Sequence, residues 1–166
     1  MKINDDHMYH GAVLTQIAEH QQFTSINAVR IDGGLSRSAF RINETIGIYL
    51  KYATDPKPLD HDYIFTFTDP NRNELRSLSR LCDDVYIVMV CVQDRHICCI
   101  SDADLTAWLD KRKEALGRDE DTFTILVGLP PGKPFQVNMN MPGQRSVYLD
   151  RSQLVPRNRF PNVLFE

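Results

Sequence analysis

One run constrains the fold more than any other stretch of the chain: in DVYIVMVCV every residue from Val85 to Val92 is apolar or aromatic. A half-buried strand alternates apolar with polar residues, whereas an unbroken apolar strand has both of its faces covered. The run is also far short of the roughly 20 residues that a membrane-spanning helix needs. It therefore predicts a strand at the centre of a sheet with further layers on both sides.

The rest of the chain supplies those layers. Asn4, Asp5 and Asp6 are N-cap candidates ahead of a stripe of Met8, Val13, Leu14, Ile17 and Ala18, so residues 6–20 are predicted as an amphipathic helix. FTSINAVRI reads as a strand ended by Asp32-Gly33-Gly34, and SAFRINETIGIYLKYAT as two strands turning at Asn43-Glu44. DYIFTFT alternates as a further strand. PNRNELRSLSRL carries proline in its first turn and places Leu75, Leu78 and Leu81 on one helical stripe. RHICCIS follows the apolar run as its partner strand, and Ser101 or Asp102 caps a helix over 103–116 bearing Leu105, Trp108 and Leu109. Beyond Gly117, strands alternate with Pro/Gly turns.

The fold class expected is α/β (α+β), with a mixed central sheet flanked by helices and a β-rich C-terminal extension. A length of 166 residues with 42% hydrophobic content suits one domain, with a core over 1–116 and an extension and tail over 117–166 packed on it. The polar, acidic start MKINDDHMYH has no signal-peptide pattern, so a soluble cytoplasmic protein is expected, with no membrane contact. Cys82, Cys91, Cys98 and Cys99 form no CxxC pair, which predicts buried, reduced thiols. The net charge of −3 excludes a globally basic, purely electrostatic nucleic-acid binder, so any such contact must come from a local patch. No GxSxG, HExxH or dinucleotide fingerprint is present, which disfavours serine hydrolases, zinc proteases and Rossmann dehydrogenases.

The candidate site centres on TIGIYLKYATDP. On this strand Ile46, Ile48, Leu50 and Tyr52 share one face, and Gly47, Tyr49, Lys51 and Ala53 the other. Lys51 thus stands opposite the aliphatic face, beside Tyr49 and above a glycine that leaves space. An unpaired ammonium is costly to bury, so a mid-strand lysine lies at an edge, snorkels to solvent, or faces an anion. Arg30, Arg37 and Arg41 bracket the loop DGGLSRS and, with Lys51 and Tyr49, form the candidate nucleic-acid-binding set. Solvated loop arginines are the plainer structural alternative. His7 and His10 at i and i+3, with His61, are a weak metal-ligand candidate. A tail bearing Arg145, Arg151, Arg157 and Arg159 with Phe160 and Phe165 is either a nucleic-acid arm or a segment docked through its phenylalanines.

The order helix–strand–strand–strand, then helix and buried strand, with a lysine on the third strand, resembles the PD-(D/E)xK nuclease superfamily over about residues 6–100. That resemblance implies a Mg²⁺-dependent nuclease in which Lys51 stabilises charge and Glu19, Asp32 or Glu44 holds the metal. This sequence departs from the superfamily's pattern, since Tyr49 occupies the acidic position two before Lys51 and 38–43 contains no acid. The stretches SAFRINETIGIYLKY, YIFTFT and FPNVLFE also resemble a group of small bacterial proteins, a likeness that implies no mechanism. The expectation is a nucleic-acid-associated binding or regulatory domain without full catalytic machinery, a protein partner being the other possible one. The alternative is a nuclease cleaving phosphodiester bonds with Lys51 and migrated carboxylates.

Overall fold

In a computed structural model describing residues 1–139 and 153–166, two sheets and three α-helices form three layers. Helix α1 (Asp5–Ala18) is followed by strands β1 (Ile26–Ile31), β2 (Gly34–Ile42), β3 (Ile46–Ala53) and β4 (Tyr63–Phe67). Helix α2 (Asp69–Leu81), strands β5 (Asp84–Cys91) and β6 (His96–Ser101) and helix α3 (Asp102–Leu116) come next. Strands β7 (Phe123–Gly128), β8 (Phe135–Met139) and β9 (Gln153–Val155) and a 3₁₀ turn at Asn162–Phe165 complete the described chain.

The five-stranded sheet runs β1-β2-β3-β5-β6, antiparallel throughout except for the parallel pair β3 and β5. The apolar run forms β5, between β3 and β6, with both faces covered as its composition requires. Ile87, Met89 and Cys91 enter one core, while Val88 and Val90 enter the other. Val13 and Ile17 of α1 cover the second face together with Phe160, Val163 and Leu164 of the C-terminal segment. The tail phenylalanines thus dock: Phe160 is buried and Phe165 stacks on His20 at 4.2 Å. Arg145 and Arg151 lie outside the described residues.

The first face is covered by more than helices. Strand β4 leaves the five-stranded sheet and pairs with β7, giving a four-stranded antiparallel sheet β4-β7-β8-β9. Strands from 117–166 therefore complete a sheet begun by β4 from within 1–116. Its inward residues, including Phe65, Phe67, Phe123 and Phe135, share one core with Leu75 and Leu78 of α2 and Leu105 of α3. All four cysteines are free and buried. Among the described residues, no helix is long and apolar enough to cross a membrane.

Local sequence explains the helix ends. Asn4 caps α1, accepting from the His7 N–H at 3.0 Å while His7 Nδ1 accepts from the Asn4 N–H, a reciprocal capping box. Thr68 and Asn71 repeat that box on α2, whose first turn holds Pro70. Ser101 caps α3, and Gly117, at φ 77°, closes it in the left-handed conformation that costs glycine least. Asn43 and Glu44 have φ of 49° and 67° in the three-residue turn 43–45 between the paired Ile42 and Ile46, a left-handed backbone in which asparagine is enriched.

Candidate functional site

Lys51 lies on the β3 face predicted for it, together with Tyr49 and away from Ile48 and Leu50. The space expected above Gly47 is not there. A Cβ at Gly47 would stand 2.9 Å from Leu78 Cγ and 3.1 Å from Cys82 Sγ, because α2 packs directly on the strand. Farther along β3 the Lys51 side chain is half-buried between Phe67, at the end of β4, and the first turn of α2.

Asn71 organises this corner. Its Oδ1 accepts from the Thr68 N–H at 3.0 Å and from Lys51 Nζ at 3.3 Å, while its Nδ2 donates to the Tyr49 hydroxyl at 3.1 Å. The ammonium also sits 5.3 Å from the centroid of the Phe67 ring, within cation–π range. One turn along α2, the Glu74 carboxylate accepts from Ser36 Oγ at 2.5 Å and meets the Tyr49 hydroxyl. Ser36 Oγ in turn accepts from the N–H groups of Ser38 and Ala39. This bond pattern accompanies a register shift between β1 and β2, so β2 bends away from β3 just beyond the pair Ala39↔Tyr49.

Burial governs the electrostatics. It pushes the Lys51 ammonium below the ordinary lysine range, with Glu74 pulling it partly back. It raises the Tyr49 phenol, and Glu74 adds to that rise, so this hydroxyl stays protonated across the physiological range. His10, buried on α1, bonds to the Arg37 carbonyl at 3.0 Å and packs edge-on to Tyr52. Burial depresses its imidazole and Lys51 depresses it further; Asp6 and the carbonyl bond oppose them.

With the folded-state value of His10 below the ordinary 6.5, the unfolded chain takes up the proton first as pH falls. Stability is therefore complete above pH 6.5 and is lost as the pH drops through the folded-state value. We expect thermal melts to show Tm declining below about pH 6.5, and His10→Gln, which keeps a donor for the Arg37 carbonyl, to flatten that decline. An unchanged Tm–pH profile in the variant would remove His10 as its cause.

The predicted site residues do not all gather. Arg37 lies two residues past the last β2–β3 pair, at the end of the sheet where Lys51 emerges, and is exposed. Arg41 pairs with Asn27 on one side and Gly47 on the other, on the face toward α2 and near Cys82. Arg30 is exposed on β1, beside the inward-facing Val29, so strand alternation places it on the opposite face from Arg41. Asp32, at φ 51° in the β1–β2 turn, lines a groove of about 510 Å³ with Ser36, Arg37 and Glu74. Glu44 occupies the β2–β3 turn, ~23 Å from Lys51 along the strand at its usual rise. Glu19 is the C-cap of α1, ~13 Å beyond His10 along the helix axis.

Mg²⁺, the metal implied by the nuclease resemblance, does not fit these side chains. Such sites need clustered hard carboxylate oxygens. Here Tyr49 stands at the acidic position, and among the described residues Glu74 is the one carboxylate meeting the Lys51–Tyr49 corner, already accepting from Ser36. Among the described residues, no three His, Cys, Asp or Glu side chains are grouped to hold a metal. The histidine candidates are likewise dispersed: His7 caps α1, His10 bonds a carbonyl, and His61 pairs with Asp94 at 3.1 Å.

Sequence reasoning missed Asn71 and Glu74. Their i, i+3 spacing puts them on one flank of α2, which was legible, but only the seating of α2 on β3 shows that this flank meets Lys51. No protein-family model, curated protein or solved structure matches the chain.

Proposed function

We infer that the protein is a nucleic-acid-associated binding domain in which Lys51 contacts a backbone phosphate, with no metal-dependent strand cleavage. The observation that carries this reading is the half-buried Lys51 ammonium, held by a strand, a ring and, among the described residues, a single neutral acceptor. An ammonium has three donors, and one bond to Asn71 Oδ1 leaves it under-satisfied for its degree of burial. A phosphate oxygen would supply a charge-assisted acceptor and lift the depressed ionisation back toward the normal lysine range. Arg37 at the same end of the sheet is a second cation within reach of an adjacent phosphate. Glu74 limits the local positive charge, so the contact suits one or two phosphates rather than a continuous polyanion track.

The test is fluorescence anisotropy with labelled single-stranded DNA, duplex DNA and RNA over a salt series. Lys51→Met is expected to weaken binding about tenfold on the preferred nucleic acid and to reduce the salt slope by about 1. Parallel incubation with Mg²⁺ is expected to leave the strands intact for both proteins. Equal affinity of the variant would dismiss Lys51 as a phosphate contact, and Mg²⁺-dependent cutting lost in Lys51→Met would replace this reading with a nuclease.

A further inference from the structure

Helix α2 has a second flank, facing away from Lys51. There it lies antiparallel to α3, with Ser79 Oγ donating to Asp102 at 3.1 Å at one end of a groove of about 380 Å³. One wall carries Arg72, Arg76 and Arg80, at i, i+4 and i+8 on α2. The other carries Asp102 and Asp110, separated by the same eight residues of α3, with Asp119 beyond. The buried core residues Leu75, Leu105 and Phe123 close the bottom of the groove, and the half-buried Leu109 is the apolar side chain that reaches into it.

Two walls of opposite charge would normally close into ion pairs. Among the described residues, none of these arginines comes within ion-pair range of these aspartates; the neighbouring pairs, Lys113–Asp119 and Arg112–Glu120, stay on the acidic side. Two of the arginines have other partners. Arg72 lies over the Phe123 ring at 5.8 Å and donates to the Glu120 carbonyl, and Arg76 donates to Asn73 at 2.9 Å. Arg72 thus joins the two sides at one end of the groove, as Ser79 and Asp102 do at the other, while Arg76 and Arg80 stay unpaired with Asp102 and Asp110 among the described residues.

We propose that this groove docks an amphipathic helical segment of a partner protein, with acidic residues on one flank of its apolar stripe and basic residues on the other. Each wall repeats its charges over ~12 Å, which is about two helical turns and the pitch at which a helix presents i, i+4 and i+8 side chains. A polyanion would meet Asp102, Asp110 and Asp119 on the far wall, and that repulsion disfavours nucleic acid here.

Three synthetic helical peptides with a common Leu stripe test the proposal: one with a Glu flank and a Lys flank, one with Glu on both, one with Lys on both. Measured by anisotropy against the full chain, the mixed peptide is expected to bind at least about tenfold more tightly than either uniform one. In the double variant Arg76→Glu/Arg80→Glu both walls are acidic, and the preference is expected to switch to the all-Lys peptide. The substituted side chains are exposed, and circular dichroism with a thermal melt checks that the fold is kept. Indifference among the peptides, or no switch in the double variant, would overturn the proposal. So would a concentration-dependent self-association in sedimentation that the double variant abolishes, which would give the groove to a second copy, or loss of DNA or RNA affinity in that variant.

Discussion

Glu120→Ala is expected to destabilise the fold by about 3–5 kcal/mol, the range for stripping one partner from a buried ion pair. Arg112 is only 5% exposed, although it stands on the outer helix α3. Its Nε and Nη2 donate to the two Glu120 oxygens at 2.5 and 2.7 Å, a bidentate fork, and Nη1 has no hydrogen-bond partner among the described residues. Removing Glu120 would leave a wholly uncompensated guanidinium out of water. Arg112→Met should cost less, because Glu120 retains some solvent access and can hydrate. The double change Arg112→Met/Glu120→Leu should be close to neutral, since it also removes the orphaned nitrogen. Urea titrations of the four proteins form the cycle that checks this. Equal costs for both single variants would show that Arg112 is hydrated in solution. For a chain of this size the Glu120→Ala loss corresponds to a drop in Tm of ~10 °C.

The second large effect is a pair of identical substitutions with opposite signs. Gly47→Ala places a methyl 2.9 Å from Leu78 Cγ, and Leu78 is fully buried with nowhere to retreat. The expected cost is about 1–3 kcal/mol, from overpacking where Leu78 of α2 rests on β3. Because α2 carries Asn71, the same variant should also disturb the Lys51 environment. Gly11→Ala sits inside α1 with no heavy atom within 4 Å of the new methyl. It should stabilise by about 0.5–1 kcal/mol, the intrinsic helix preference for alanine. Thermal melts of both variants decide the matter, and a neutral Gly47→Ala would mean that α2 does not press on β3 as described.

Gly47 also shows how far strand periodicity reaches. Alternation on β3 correctly put Gly47, Tyr49 and Lys51 on one face, because a strand's period of two is a property of the backbone. What stands opposite that face is not a property of the strand. Leu78 of α2 fills the room over Gly47, while Lys51 stays half-buried beside Asn71, and both facts depend on where a distant helix comes to rest. Glu74 escaped notice for the same reason, and Glu44 and Glu19 attracted notice although nothing in their local sequence brings them to Lys51.

What the sequence determined alone is what short-range chemistry controls. The unbroken apolar run demanded a central strand covered twice, the capping residues set the helix starts, and Asn43-Glu44 specified the tight turn. The tertiary structure decided the rest. It sent β4 into a second sheet with β7, gave α2 one flank toward Lys51 and another toward α3, and parted Arg30 from Arg41 across a sheet. Backbone hydrogen bonding and side-chain periodicity act over a few residues and can be read in order. The meeting of side chains far apart in the chain is settled only when all the apolar surfaces are buried at once.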